Sequence, residues 1–350
     1  VNTTRDPSPA WPAALGLVAG VALDSALPDP RRVHPVAAFG HTASALERRM
    51  HRDSRARGAA YAALAVTPVV ALGVLAERGG PLRRAALTAA TTWAVVGGDM
   101  LGREAGAIAD ALEAGDLAGA RDRLPHLCGR DPSELDEKGI ARATVESVAE
   151  NTSDAVVAPL LWGGLLGVPG LAGYRAVNTL DAMVGHRSPR YERFGWAAAR
   201  TDDLANWAPA RLTAVLTALA APAVAGDPAR AWRARSRYGG RHPSPNAGQC
   251  EAAFAGALGV RLGGTNTYAG RTEHRPELGE GRHPEVRDIR RAVRLARVVA
   301  GSAAAVAASI ALLTASEQRG RAPRAAARST HLPLSAFGRR VRAERPGRAA

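Results

Sequence analysis

Five or six apolar runs, separated by arginine-rich connectors and almost free of strand-like alternation, predict an all-α, polytopic integral membrane fold. Two of the runs carry the prediction. Gly58 to Ala76 has no charge over nineteen residues, and as a helix it extends about 28 Å, close to the hydrocarbon thickness of a bilayer. Val298 to Ser316 is equally charge-free and is bounded by Arg297 and Glu317, at positions where polar headgroups accept them.

Taken in chain order, residues 1–10 read as a flexible N-terminus. The first run, Pro7 to Leu23, follows only Arg5 as a basic flank and lacks a small-residue cleavage site, so it is expected to persist rather than act as a signal peptide. Ala85 to Gly98 and Leu212 to Gly226 are shorter, and each adjoins a charge (Asp99, Arg211) that must face protein, water or the interface. Either would also serve as a buried helix of a soluble core. Ala155 to Tyr174 is charge-free but holds Pro159, Pro169 and five glycines, which predicts a broken or re-entrant segment covered by protein or water. Ile108 to Asp122 and Glu134 to Ala149 show helical spacing, with Asp131-Pro132-Ser133 as the expected entry to the second. Residues 11–316 thus read as one membrane-embedded domain with helical and loop segments between spans. Residues 317–350, rich in arginine, alanine and proline without an apolar face, read as a disordered tail.

The 46 basic residues against 32 acidic ones give a formal net charge of +14, and Lys138 is the only lysine. Such an excess fits nucleic acid, anionic lipid or anionic substrates. Nucleic acid is disfavoured, because the chain has only six Trp, five Tyr and four Phe and its arginines do not interleave with them. Cys128 and Cys250 stand far apart without CxxC spacing, which supports neither a disulfide framework nor a thiolate zinc site.

Polar chemistry concentrates in three blocks. In the first, Glu146, Glu150 and Asp154 fall at i, i+4 and i+8 and share one helical face. Like charges at that spacing repel, so the face is either a solvated stripe or one neutralised by magnesium or arginine. Asn151-Thr-Ser within it matches a glycosylation sequon, a weak pattern here. The second block places Arg175, Asn178 and Asp181 near one helical face, then Gly185-His186-Arg187, and then Asp202-Asp203 with Asn206 and Arg211. An Asp-Asp pair suits magnesium, which prefers a few carboxylates plus substrate phosphates, though it also occurs at helix N-termini. The third is Arg241-His242-Pro243-Ser244-Pro245-Asn246-Ala247-Gly248, whose prolines fix an irregular loop able to orient His242, Ser244 and Asn246. No GxxxxGK[ST] loop and no GxGxxG after a strand occur, so any nucleotide site is unconventional.

In order, ESVAENTSD at 146–154, YRAVNTLDAMVGHR at 174–187, DDLANWAPAR at 202–211, HPSPNAG at 242–248 and RLGG from 261 resemble the adenosylcobinamide-phosphate synthase family of cobalamin biosynthesis, also called CobD/CbiB. An N-terminal motif agrees: Asp24, Asp29-Pro30, His34-Pro35-Val36 and Gly40. The resemblance spans most of residues 15–282. Pro28 departs from the usual glycine, and Gln249-Cys250 from the usual Trp-Pro.

That resemblance implies an integral membrane enzyme. A multi-pass cell-membrane protein with a cytoplasm-facing site is the expectation here, while the basic segments 31–57, 103–154, 227–297 and the tail compete for the cytoplasmic side, and all are inside only if one run does not span. The enzyme would join aminopropanol, or its O-phosphate, to the f-side propionate of the corrinoid adenosylcobyric acid, and the resemblance leaves room for docking by other enzymes of the pathway. A carboxylate does not condense with an amine unactivated, so ATP and Mg2+ are expected to take part. On residue chemistry, Asp202 and Asp203, supported by Glu146, Glu150 and Asp154, are candidates for metal and phosphate. Arg175, Arg187 and Arg211 suit anions; His242 suits proton transfer; Asn178, Asp181, Asn206, Ser244 and Asn246 suit substrate orientation. A transporter of a corrinoid or another anionic solute is the competing reading, since carboxylates and broken helices also mark transport pathways.

Overall fold

The computed structural model describes residues 11–27, 34–186, 188–268 and 271–329. The fold is helical: α1 (Trp11–Ala26), α2 (Pro35–Met50), α3 (Arg55–Ala76), α4 (Pro81–Val95), α5 (Gly98–Glu113), α6 (Leu117–Arg123), α7 (Glu137–Thr152), α8 (Ala158–Leu166), α9 (Val168–Leu180), α10 (Trp196–Ala205), α11 (Trp207–Ala220), α12 (Pro228–Tyr238), α13 (Ala247–Leu258) and α14 (Val286–Ser329). One antiparallel hairpin, β1 (Leu262–Tyr268) and β2 (Arg271–Leu278), interrupts it. Sparse alternation in 262–278 hides this hairpin from a sequence reading: its glycines at 263 and 264 adopt φ of +83° and +92°, and they mark an irregular register rather than a regular two-residue period.

Among the described residues, three helical stretches are long and apolar enough to cross a membrane: Arg55–Ala76, Trp207–Val224 and Val286–Ser316. The first is α3, whose Leu64, Leu72, Val74 and Leu75 face outward. The third is the middle of α14, with Leu312 and Leu313 outward. With α1, α4, α8 and α9 packed around them, they form an apolar bundle. Close approach within it comes from glycine. A Cβ at Gly16 or Gly20 of α1 would fall 2.5 Å or 2.3 Å from the Cβ of Thr88 or Thr92 on α4, the small-xxx-small contact by which membrane helices gain van der Waals packing.

Trp207–Val224 is different, because half of it is buried and α12 runs back beside it. Four arginines on α12 (230, 233, 235 and 237) therefore lie along the same helical layer. Arg291 of α14 closes that layer from below: its guanidinium reaches the carbonyls of Leu258 at 2.8 Å and Val224 at 3.0 Å, capping two helix ends at once. Asp288 beside it is fully buried and accepts from Arg282 at 2.7 and 3.0 Å. One continuous hydrophobic core joins α1, α5–α8, α11–α13, the hairpin and α14, and a smaller one joins α2, α3, α9 and α10.

Several sequence boundaries shift. Ala155 to Tyr174 is broken as expected: Gly167 (φ +69°) separates α8 from α9, and Glu77 Oε1 accepts the Val168 amide at 2.9 Å to cap α9. The helix expected over 108–122 breaks at Gly115 (φ +74°), giving α5 and α6. Asp136, not 131–133, caps α7, accepting from Gly139 N at 2.8 Å. The sequon residue Asn151 lies inside α7 and donates to Ser147 O at 2.9 Å. Helix α14 continues to Ser329, past the 316/317 boundary drawn from composition, because alanine and arginine propagate a helix once it is started. Residues 1–10 and 330–350 lie outside the described residues, as do Asp29, Pro30 and Arg187.

Candidate active site

The polar groups gather at two π-helical turns, Ser153–Val157 after α7 and Asp181–Gly185 after α9. Such turns widen a helix by one residue and recur at functional sites because they redirect side chains. Here they carry Asp154 and Asp181. Across from them, the C-terminal end of α10 presents Asp202 and the start of α11 follows immediately.

Asp202 is held by two amides and no cation: Asn206 Nδ2 donates to it at 2.9 Å and Asn178 Nδ2 at 3.3 Å. The Tyr174 hydroxyl donates to Asn206 Oδ1 at 2.8 Å, which fixes the amide's orientation from α9. Asn206 is buried, and Asp202, Glu150, Asp154 and Asp181 are half-buried around it. Burial and mutual repulsion drive their proton affinities up. Asp181 rises to about 7 through burial and the charges of Asp202, Asp203 and Glu150. Glu150 is raised first by burial and then by Glu146 and Asp202, with Arg275 opposing. Asp202 is raised by burial against the pull of its two amide donors.

Four half-exposed carboxylates that disfavour one another's charge fit a hard divalent cation, which would relieve the repulsion. Among the described residues, no three Asp, Glu, His or Cys side chains converge to form a complete metal cage.

Not every predicted residue belongs to this cluster. Glu146 is buried and pairs with Arg130 at 2.5 Å, while its other oxygen accepts the Gly263 amide at 2.7 Å. Arg142 reinforces that join by donating to Gly263 O and, at 2.8 Å, Thr265 O. Glu146 thus fastens the hairpin to α7, and its arginine partner occupies the place a metal would need. Asp203 turns toward Arg200 at 3.5 Å.

His242 sits with its side chain 5 % exposed. Its Nδ1 accepts the Ser244 amide at 3.0 Å, leaving Nε2 toward Glu251 at 3.8 Å and Arg275 at 3.3 Å. Burial and Arg275 lower its proton affinity, so it is a neutral, enclosed group. Ser244 Oγ accepts from Ala247 N at 3.1 Å and so caps α13. Asn246 links α10 and α11, donating to Asp203 O at 2.8 Å and accepting from Arg211 at 3.2 Å. Arg211 stacks over Trp207, 4.4 Å from the ring centre. Arg175 is half-buried beside Asp154, whose charge it offsets.

Sequence reasoning passed over Tyr174, Arg130, Glu251 and Arg275. Tyr174 stood inside a quoted motif. The other three gave no local signal, since their partners lie far along the chain.

Fold and site define a class: a helical membrane protein with a cluster of four interacting carboxylates, Glu150, Asp154, Asp181 and Asp202. The chain belongs to the CobD/Cbib protein family, whose profile matches residues 17–296. It is 54 % identical over 295 residues to the cobalamin biosynthesis protein CobD of Mycobacterium tuberculosis, covering 84 % of this chain and 94 % of that one. It is 44 % identical over 292 residues to the protein of the same name from Rhodobacter capsulatus, covering 80 % and 92 %. No solved structure matches the chain.

Proposed function

We propose that this chain forms the amide bond between aminopropanol, or its O-phosphate, and the f-side propionate of adenosylcobyric acid. A role in cobalamin biosynthesis follows from its family and relatives, and that role implies a corrinoid substrate. The observation that best supports the finer reading is the carboxylate cluster itself. Glu150, Asp154, Asp181 and Asp202 lie close enough to raise one another's proton affinity, with Arg175 beside Asp154.

In this reading Asp202, oriented by Asn178 and Asn206, and Asp154 would hold magnesium together with phosphate oxygens. The ion would supply charge neutralisation for ATP-dependent activation of the carboxylate. Arg211, stiffened by Trp207, and Arg175 hold phosphate or carboxylate oxygens, where a planar guanidinium gives two donors. Asp181 is the proton acceptor for the ammonium group, which must lose a proton before the amine attacks; burial, the largest cause, raises its proton affinity above the ordinary carboxylate range. That role passes from His242, which is enclosed between a backbone donor and Arg275.

The test is a single assay. Purified protein in liposomes receives adenosylcobyric acid, magnesium-ATP and aminopropanol with or without its phosphate, and the corrinoid is weighed. An ATP-dependent mass gain equal to one condensed amine supports the reading and names the amine. Vectorial corrinoid uptake without a mass gain would replace it with transport.

A further inference from the structure

A cavity of about 570 Å³ lies between α12, the C-terminal end of α13 and residues 280–281. That volume is within the range of roughly 300–1,000 Å³ typical of ligand pockets. Its wall on α12 carries Arg230, Arg233 and Arg237, whose i, i+3, i+7 spacing puts them on one helical face. Among the described residues that line it, Glu280 is the sole carboxylate. Three guanidiniums against one carboxylate leave the lining with an excess of two positive charges.

The three arginines differ in the donors they have left. Arg230 is fixed through its Nε, which donates to Gly256 O at 3.0 Å, and among the described residues neither of its Nη atoms has a hydrogen-bond partner. That fork lies over Gly259, where a Cβ would fall 3.0 Å from Nη2 and 3.3 Å from Nη1 and where the backbone adopts φ +73°. Glycine is needed there both for the turn and for the room. Arg233 Nη2 stands 3.7 Å from Asp227 Oδ2 with both side chains mostly exposed, a pair too loose and too wet to hold it. Arg237 is committed, donating to Glu280 Oε1 at 2.8 Å, and the Tyr238 hydroxyl donates to the same oxygen at 2.6 Å. Nor does the carbonyl end of α13 consume the free donors, since Arg291 already takes Leu258 O at 2.8 Å.

From this geometry we infer that the pocket binds a phosphate group carrying two negative charges, seated in the Arg230 fork and closed over by Arg233. A guanidinium presents two parallel donors to phosphate oxygens, and a fork already oriented by a backbone bond loses little freedom when it binds. A carboxylate ligand would leave half of the excess charge uncompensated. This phosphate is not the one that reacts in amide formation: the twelve residues of α13 set Gly259 about 18 Å from Asn246, which touches Asp203 and Arg211 at the helix's other end. The site therefore stands apart from the amide-forming reading. A soluble phosphate ester and a lipid headgroup present the same chemistry to it.

Microscale thermophoresis of the full chain in phosphatidylcholine nanodiscs, without magnesium, uses inorganic phosphate at about pH 8, where the probe is a dianion. Wild type is expected to show saturable one-site binding of phosphate and none of acetate at equal ionic strength. Arg230→Gln is expected to raise Kd about tenfold or more and Arg233→Gln about threefold or more. Glu280→Gln is expected to lower Kd about threefold, because it frees Arg237; a gain of affinity cannot come from misfolding. Asp202→Asn is expected to leave Kd unchanged, which separates this pocket from the carboxylate cluster. Repeating the titration in discs containing phosphatidic acid names the source of the phosphate: an unchanged Kd assigns a soluble ester, and loss of phosphate binding assigns a lipid headgroup already in place. No saturable binding by wild type, an unchanged Kd in both arginine variants, or weaker binding by Glu280→Gln would overturn the inference.

Discussion

Replacing Glu146 separates a structural carboxylate from a metal ligand, two roles that its sequence motif cannot tell apart. Its side chain is 7 % exposed and that of Arg130 is 4 %, with 2.5 Å between them. Removing one partner of a buried pair strands the other charge and costs about 3–5 kcal/mol. The lost acceptor for the Gly263 amide adds about 1 kcal/mol or more. Glu146→Ala is therefore expected to destabilise the protein by roughly 5 kcal/mol, a fall in midpoint on the order of 7 °C for a chain of this size. Glu146→Gln keeps an acceptor for Gly263 and should cost less. Thermal unfolding in detergent measures the first quantity, and limited proteolysis of residues 262–278 reports release of the hairpin. A metal-ligand role predicts the opposite pattern: easing repulsion with Glu150 leaves stability unchanged or higher, while the magnesium requirement of turnover shifts. Glu146→Ala with wild-type stability and an intact hairpin would refute the reasoning.

Asp181→Asn should lower kcat/KM by roughly 10²-fold or more and remove the limb near pH 7 that its raised proton affinity gives the wild-type profile; an unchanged limb would reassign the base. Because the folded protein favours the protonated carboxyl, this group's contribution to stability is full below about pH 4 and is lost as pH rises through about 7. The full shift corresponds to roughly 4 kcal/mol, which partial exposure reduces to about 1–2 kcal/mol, so the asparagine variant should gain relative stability at pH 8 but not at pH 4. Arg211→Ala should abolish condensation while leaving membrane insertion intact, as read by corrinoid mass and by membrane fractionation. Gly20→Leu should break the α1–α4 contact, since even a Cβ falls 2.3 Å from that of Thr92; loss of more than about 3 kcal/mol is expected, and a stable variant would show that the two helices do not pack as described.

Motif order made much of the site legible, because Asp154, Asp181, Asn178, Asp202 and Asn206 each sit in a polar patch beside an apolar run, where polarity is costly without a use. Roles were less legible. Glu146, Glu150 and Asp154 look equivalent at four-residue spacing, yet α7 gives way to a π-helical turn at Ser153, so Glu146 faces Arg130 and the hairpin while Asp154 faces the carboxylate cluster. Likewise His242 reads as a candidate base from its residue type and its place in HPSPNAG, and only the fold shows that it is enclosed by Ser244, Glu251 and Arg275.

By itself the sequence determined the membrane character, the helical class, an interruption somewhere within Ala155 to Tyr174 and the family, because all of these are written in runs and motifs that are local along the chain. Tertiary structure decided which carboxylates share a cluster, that Trp207–Val224 lies beside an arginine-bearing helix, and that 262–278 is a hairpin pinned to α7. Those facts depend on partners such as Glu146 with Gly263 or Arg291 with Val224, brought together only when the packed core fixes where each helix ends.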